Sequence, residues 1–211
     1  MNSIPDIIQS DFRAALLSGN KAHCSKTIQS LIDQNFTLEE IYEHLLKRTL
    51  YQVGELWEQN QISVATEHLA SSIVENLLNE LYLQLQPQQC NGKKAILASI
   101  PGELHQIGVK MVNDVLEAKG WETYFLGSNV PSNDLIRFAK GVKPDLFALS
   151  MSLYFNLPEL MKLVDELRLH FPDTKVLIGG QGFTRGGTEI TRRYSNFTYC
   201  SNLYELNNYL T

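Results

Sequence analysis

The sequence predicts an α/β protein in two parts: an N-terminal four-helix bundle over residues 1–88, then a doubly wound, five-stranded parallel sheet over residues 93–211. Three observations carry this. No proline interrupts the chain between Pro5 and Pro87, while apolar residues recur there at three- and four-residue steps, as amphipathic helices require. The stretch 86–94, QPQQCNGKK, is polar and holds a proline and a glycine, so it reads as a boundary. Beyond it, short apolar runs at 95–100, 123–126, 146–151 and 176–178 alternate with helical stretches near 105–119, 132–141, 156–170 and 186–193.

In chain order, two shorter helices are expected near residues 4–18 and 20–34. The third begins after Thr37, which forms a capping box with Glu40. Its apolar stripe is Ile41, Leu45, Leu46, Leu50, Val53 and Trp57. Ser63 is placed to cap the fourth helix, whose stripe runs through Leu69, Ile73, Leu77, Leu78 and Leu81. In the second part, strands separated by single helices imply right-handed crossovers and a parallel sheet covered on both faces. A last strand at 197–199 and a helix at 203–210 repeat the unit. Ligands of such sheets bind outside the carboxyl ends of the strands.

The chain has 211 residues, 44% apolar and 19% charged, with a formal charge of −5 and no long apolar run. This excludes collagenous, membrane-spanning and grossly disordered readings. The start lacks a secretory leader pattern and the three cysteines, Cys24, Cys90 and Cys200, are odd in number and scattered, so a cytoplasmic protein is expected. Residues 1–88 carry a net −6 and residues 89–211 a net +1. An acidic first half argues against direct contact with nucleic-acid phosphates.

The turn after the first strand reads Pro101-Gly102-Glu103-Leu104-His105-Gln106-Ile107-Gly108, which puts a carboxylate two residues before a histidine at the carboxyl edge. A neutral imidazole there can ligate a metal, and the carboxylate can accept its other N–H and make it more basic. One imidazole does not hold a bare zinc or iron, so a metal here should arrive with most ligands supplied, as in a macrocycle. His170 falls at the end of a helix, and His23 and His44 read as surface residues. The glycines at 179–187 lack the GxGxxG spacing of a dinucleotide cradle. The first strand ends without the aspartate of a phosphoacceptor domain.

Glu103-x-His105-x-x-Gly108, then Ser150-x-Ser152 and the pair Gly179-Gly180, resembles the cobalamin-binding pattern DxHxxG…SxL…GG. The resemblance covers nearly the whole chain, since a helical bundle followed by a flavodoxin-like (Rossmann-like) domain is that family's usual module. It implies that His105 is the lower axial ligand of cobalt, displacing the cofactor's own base. Ser150 would hydrogen-bond the buried base, and Gly179 and Gly180 would leave room for its nucleotide tail. Trp57, nine residues, then Glu67-His68 resembles the Wx9EH signature of the CarH-type adenosylcobalamin photoreceptors, in which this set contacts the adenosyl group on the upper face. Three positions depart from these patterns: Glu103 stands where Asp is commoner, Ser152 where the motif has Leu, and Glu58 where the best-known photoreceptors have a histidine.

The function this implies is a cobalamin-binding light sensor without a DNA-binding domain of its own, signalling through a partner protein or a change of oligomeric state. Adenosylcobalamin is the expected cofactor and methylcobalamin the alternative, a homo-oligomer is expected by resemblance, and neither membrane nor nucleic acid is an expected partner. The enzymatic alternative is a corrinoid protein that carries methyl groups for a methyltransferase system; a cobalamin store or chaperone is a third.

Overall fold

The computed structural model describes residues 3–85, 87–194 and 196–210. The chain divides into two units, residues 1–85 and 86–211. The first contains α1 (Asp6–Leu17), α2 (Lys21–Asp33), α3 (Leu38–Ile41), a π-helical segment (Tyr42–Lys47), α4 (Arg48–Glu58) and α5 (Val64–Tyr82). Because α3, the π segment and α4 follow without a break, the described residues of this unit form four helical rods. Thr37 and Glu40 form the expected capping box: the Glu40 N–H donates to Thr37 Oγ1 at 3.2 Å and the Thr37 N–H to Glu40 Oε2 at 3.0 Å.

The packed faces differ from the expected stripes at three positions. In the third rod the buried set is Glu40, Ile41, Tyr42, Leu45, Leu46, Thr49 and Val53, while Leu50 is only half-buried and Trp57 is 45% exposed. The rod ends at Glu58, so Trp57 stands beyond the last packed turn. In α5 the buried set is Ala70, Ile73, Val74, Leu77, Leu78 and Leu81, an uninterrupted i, i+3, i+4 series. Leu69 lies about 100° to one side of it and is 40% exposed, touching Gly19, where an added Cβ would come within 3.2 Å of its Cδ2. His23 is paired with Asp11 at 2.6 Å, and His44, in the π segment, is half-buried rather than on the surface.

The second unit holds β1 (Lys94–Ser99), α6 (Ile107–Ala118), β2 (Glu122–Gly127), α7 (Ser132–Val142), β3 (Leu146–Ser150), α8 (Leu157–His170), β4 (Lys175–Gly179), α9 (Ile190–Arg193), β5 (Phe197–Tyr199) and α10 (Leu203–Leu210). All strand pairs are parallel and the order is β2-β1-β3-β4-β5. One sheet face packs Ile96, Ala98, Phe147, Leu149, Val176 and Ile178 against Leu135 and Ala139 of α7 and Leu160, Leu163 and Val164 of α8. The other carries α6, which also packs on α10. Covered on both faces, β3 is buried throughout. The helix expected at 186–193 shrinks to α9, because Gly186 and Gly187 take positive φ (129° and 93°) and hold their stretch in turns. The stretch after Pro87 is fastened to the end of α6, with the Gln88 N–H donating to Ala118 O and the Asn91 N–H to Gly120 O.

Thr37→Ala removes the side-chain half of the capping box and should cost about 1 kcal/mol, lowering the midpoint of thermal unfolding followed by circular dichroism by about 2–4 °C. An unchanged midpoint would contradict the role given to the box.

Candidate functional site

In the order β2-β1-β3-β4-β5 the connections leave β1 and β3 in opposite directions, which opens a crevice at their carboxyl ends. Register makes those ends level: Ser99 pairs with Ser150, and Ser150 with Gly179. Partners in a parallel ladder share a face, so these small residues form one row on the side that α6 covers. Gly108 of α6 faces the row: a Cβ there would stand 3.9 Å from Ser150 Oγ.

Glu103, in the β1–α6 loop, is fully buried. Its Oε1 accepts from His105 Nδ1 and, at 3.3 Å, from the His105 backbone N–H. Its Oε2 accepts from the backbone N–H groups of Ser152 and Leu153, each at 3.0 Å, and from Asn156 Nδ2 at 3.2 Å. Burial alone would push the carboxyl pKa up. The hydrogen bonds from His105, Leu153 and Asn156, with the charge of His105, outweigh it and bring the value down to about 2. The β2–α7 loop braces the same turn: Gly102, at φ 79°, donates to Asn129 Oδ1 at 3.2 Å, and the Asn129 N–H donates to Glu103 O at 3.1 Å. Ser99 Oγ donates to His105 O at 2.6 Å.

The His105 side chain is thus held from behind and 54% exposed in front. When the ring is neutral and gives Nδ1–H to the carboxylate, Nε2 carries the lone pair, the state in which imidazole binds a metal. A single oriented imidazole at the mouth of a crevice lined by small residues suits a metal already held in a macrocycle. Among the described residues no group of three His, Cys, Asp or Glu side chains could hold a bare ion.

Of the residues expected from sequence, Glu103, His105, Gly108, Ser150, Ser152 and Gly179 gather at this edge. Ser152 contributes its backbone N–H to Glu103, so the departure from leucine there leaves this bond intact. Gly180 lies beside them at φ 109°, where a Cβ would stand 2.4 Å from Met151 O; at Gly179 a Cβ would be 3.0 Å from Cys200 O. The backbone itself requires glycine at 180 and leaves little room for a side chain at 179. Sequence reasoning missed Ser99, Asn129 and Asn156. Asn156 occupies the N-cap position of α8 but makes no side-chain capping bond, so its sequence signal marks a helix start and hides the bond to Glu103.

A second group lies in the helical unit. Trp57 is in the last turn of α4, which closes through Asn60 N–H to Trp57 O (2.9 Å) and Gln61 N–H to Leu56 O (2.8 Å), with Asn60 at φ 56°. Ser63 then caps α5, accepting from the Thr66 N–H at 3.1 Å. Glu67 and His68 therefore share the Trp57 end of the bundle. Glu67 Oε1 accepts from Ser71 Oγ at 2.7 Å and its Oε2 lies 2.5 Å from His68 Nδ1. Trp57 is 45% and the His68 side chain 75% exposed.

Comparison with known proteins decides the family. The B12 binding domain matches residues 93–200, and a second B12 binding domain matches residues 8–82. The chain belongs to the B12-binding family. Its ligand is a cobalamin or related corrinoid. It is 35% identical over 124 residues to the HTH-type transcriptional repressor CarA of Myxococcus xanthus, covering 58% of this chain and 42% of that protein. With the repressor CarH of the same organism it shares 27% over 173 residues, 80% of this chain and 57% of that one. The chain thus spans about half the length of these two relatives. It is 26% identical over 151 residues to dimethylamine corrinoid protein 1 of Methanosarcina acetivorans, covering 69% of this chain and 70% of that protein. The fold matches that of the Methanosarcina barkeri monomethylamine corrinoid protein with a TM-score of 0.82 at 19% identity over 96% of both chains. Among the described residues no helix is long and apolar enough to cross a membrane.

Glu103→Gln keeps the shape but turns an N–H toward groups that are themselves donors, and should destabilise the ligand-free protein by about 2 kcal/mol at neutral pH. Because the Glu103 pKa is lowered from 4.5 to about 2, its contribution is present above pH 4.5 and is lost as pH falls toward 2. Urea unfolding of both proteins should show the gap between them narrowing across that interval. A gap independent of pH would contradict the assignment.

Proposed function

We propose that this chain is a cobalamin-dependent light sensor that regulates a partner rather than catalysing a reaction, with adenosylcobalamin as its native cofactor. The observation that carries this reading is the Trp57 end of the bundle, where a large aromatic side chain is left 45% exposed beside an ordered Glu67–His68 pair. An indole that the helical core does not need suits contact with a ligand. The likeness to two transcriptional repressors supports a regulatory output.

In this reading residues 93–211 hold the lower face of the cofactor and residues 1–88 cover the upper face. His105 Nε2 is the cobalt ligand and Glu103 fixes its direction. Ser150 bonds the displaced base, while Gly108, Ser152, Gly179 and Gly180 shape the path of the tail. Bound adenosylcobalamin would supply a light-labile cobalt–carbon bond. Trp57 packs on the adenosyl group in the dark, with Glu67 and His68 bonded to it. Loss of these contacts frees the bundle to adopt a second arrangement, which a partner protein or a second copy of the chain reads. A net charge of −6 on residues 1–88 favours output through protein rather than nucleic acid.

The second reading, a methyl carrier for a methyltransferase, is favoured by the match over 70% of a dimethylamine corrinoid protein. Its upper face must then open to another enzyme, and methylcobalamin is the relevant form.

Loading the protein with each cobalamin in the dark, then illuminating with green light while following absorption and size on a column, separates the two. The sensor binds the adenosyl form preferentially and changes spectrum and size in light. Preference for methylcobalamin, with no light-driven change in size, would overturn it. Trp57→Ala should reduce selectivity for the adenosyl form and leave binding of the corrin largely intact, and His105→Ala should remove the protein nitrogen from the bound cobalt's spectrum.

A further inference from the structure

We propose that Gly54 is a specificity-determining residue for the upper ligand: the notch it leaves in the surface of α4, one turn before Trp57, receives the base of the adenosyl group. This rests on the reading of Trp57 as the residue that packs on that group.

Glycine inside a helix is costly, because it loses more backbone freedom on folding than alanine does. Gly54 stands in the interior of α4, and nothing in the chain requires it there. It is not among the glycines at positive φ, so its backbone accepts any L residue, and a Cβ built on it meets no atom within 4 Å. Gly141 also has open space beside it, but it lies in the last turn of α7, outside the helix interior where the full cost applies. Residues three and four apart share a helix face, so Gly54 lies between Leu50 on one side and Trp57 and Glu58 on the other. Leu50 is half-buried and Trp57 is 45% exposed. The missing side chain therefore leaves a notch with a leucine at one end and an indole at the other. A flat ring stacked on the indole and extending toward Leu50 needs a low floor at Gly54. A methyl group on cobalt is too short to reach that floor. The polar edge of an adenosyl group finds Glu67 and the 75% exposed His68 side chain at the same end of the bundle. Alanine would make the more stable helix; glycine makes room.

The test compares Gly54→Ala and Gly54→Val with the wild type as full chains. Without cobalamin, Gly54→Ala should raise the midpoint of thermal unfolding by about 2–4 °C, since the helix gains and nothing clashes. In the dark, affinity for adenosylcobalamin should fall about tenfold in Gly54→Ala and about a hundredfold in Gly54→Val, while affinity for methylcobalamin holds. An adenosyl preference undiminished in both variants would overturn the role of Gly54 and leave that of Trp57 standing. Equal losses for the two cobalamins would overturn it as well, because the position would then serve the corrin or the fold. A lowered midpoint for ligand-free Gly54→Ala would do the same, since the chain itself would fill the notch. A wild type with no preference for the adenosyl form would overturn the reading of Trp57 itself.

Discussion

The second unit turns on one buried carboxylate. Taking an ionised group out of water is expensive and is tolerated only when its lone pairs are filled. Glu103 meets that condition through donors from two loops that are distant in sequence. The loops come within reach because β1 and β3 are neighbours whose ends are level, Ser99 against Ser150. A sheet of another order would start them apart, and the carboxylate would have no second set of donors. The direction of the His105 imidazole is thus a consequence of strand order.

The rest of the crevice follows from the same edge. Ser99, Ser150 and Gly179 align because the register aligns them, and Gly108 on α6 keeps the space in front of Ser150 narrow but open. Beneath lies the buried layer of α7 and α8 packed on the sheet, a close-packed support for the edge. The helical unit has the opposite character at its Trp57 end: its core is complete through Val53 and Ala70, and Trp57, Glu67 and His68 extend past it. Side chains not needed for packing are available for a ligand.

Much of this was legible in the sequence because periodicity reports packing. The four rods, the alternating strands and helices, and the caps at Thr37 and Ser63 all follow from local chemistry. Periodicity could not say where a core stops, so Trp57 read as the end of a buried stripe and Leu69 stood in for Ala70. It also overlooked Gly186 and Gly187, whose positive φ values break the expected helix before α9. At the site, Glu103 and His105 were legible because they lie two residues apart in one turn. Asn156 was not, since its bond to Glu103 depends on a tertiary contact and its position advertises a helix cap. Ser152 meets Glu103 through its backbone N–H, a bond that residue type does not announce.

Whether this fold presents an imidazole ready to bind metal can be asked before any cofactor is added. Long-range 1H–15N correlation of the histidine side chains in the ligand-free protein at neutral pH reports which nitrogen of His105 carries the proton. Glu103 should hold the proton on Nδ1 and leave the lone pair on Nε2, and Glu103→Gln should disturb that preference. A wild-type His105 protonated on Nε2 with a bare Nδ1 would contradict the proposed role of the buried carboxylate.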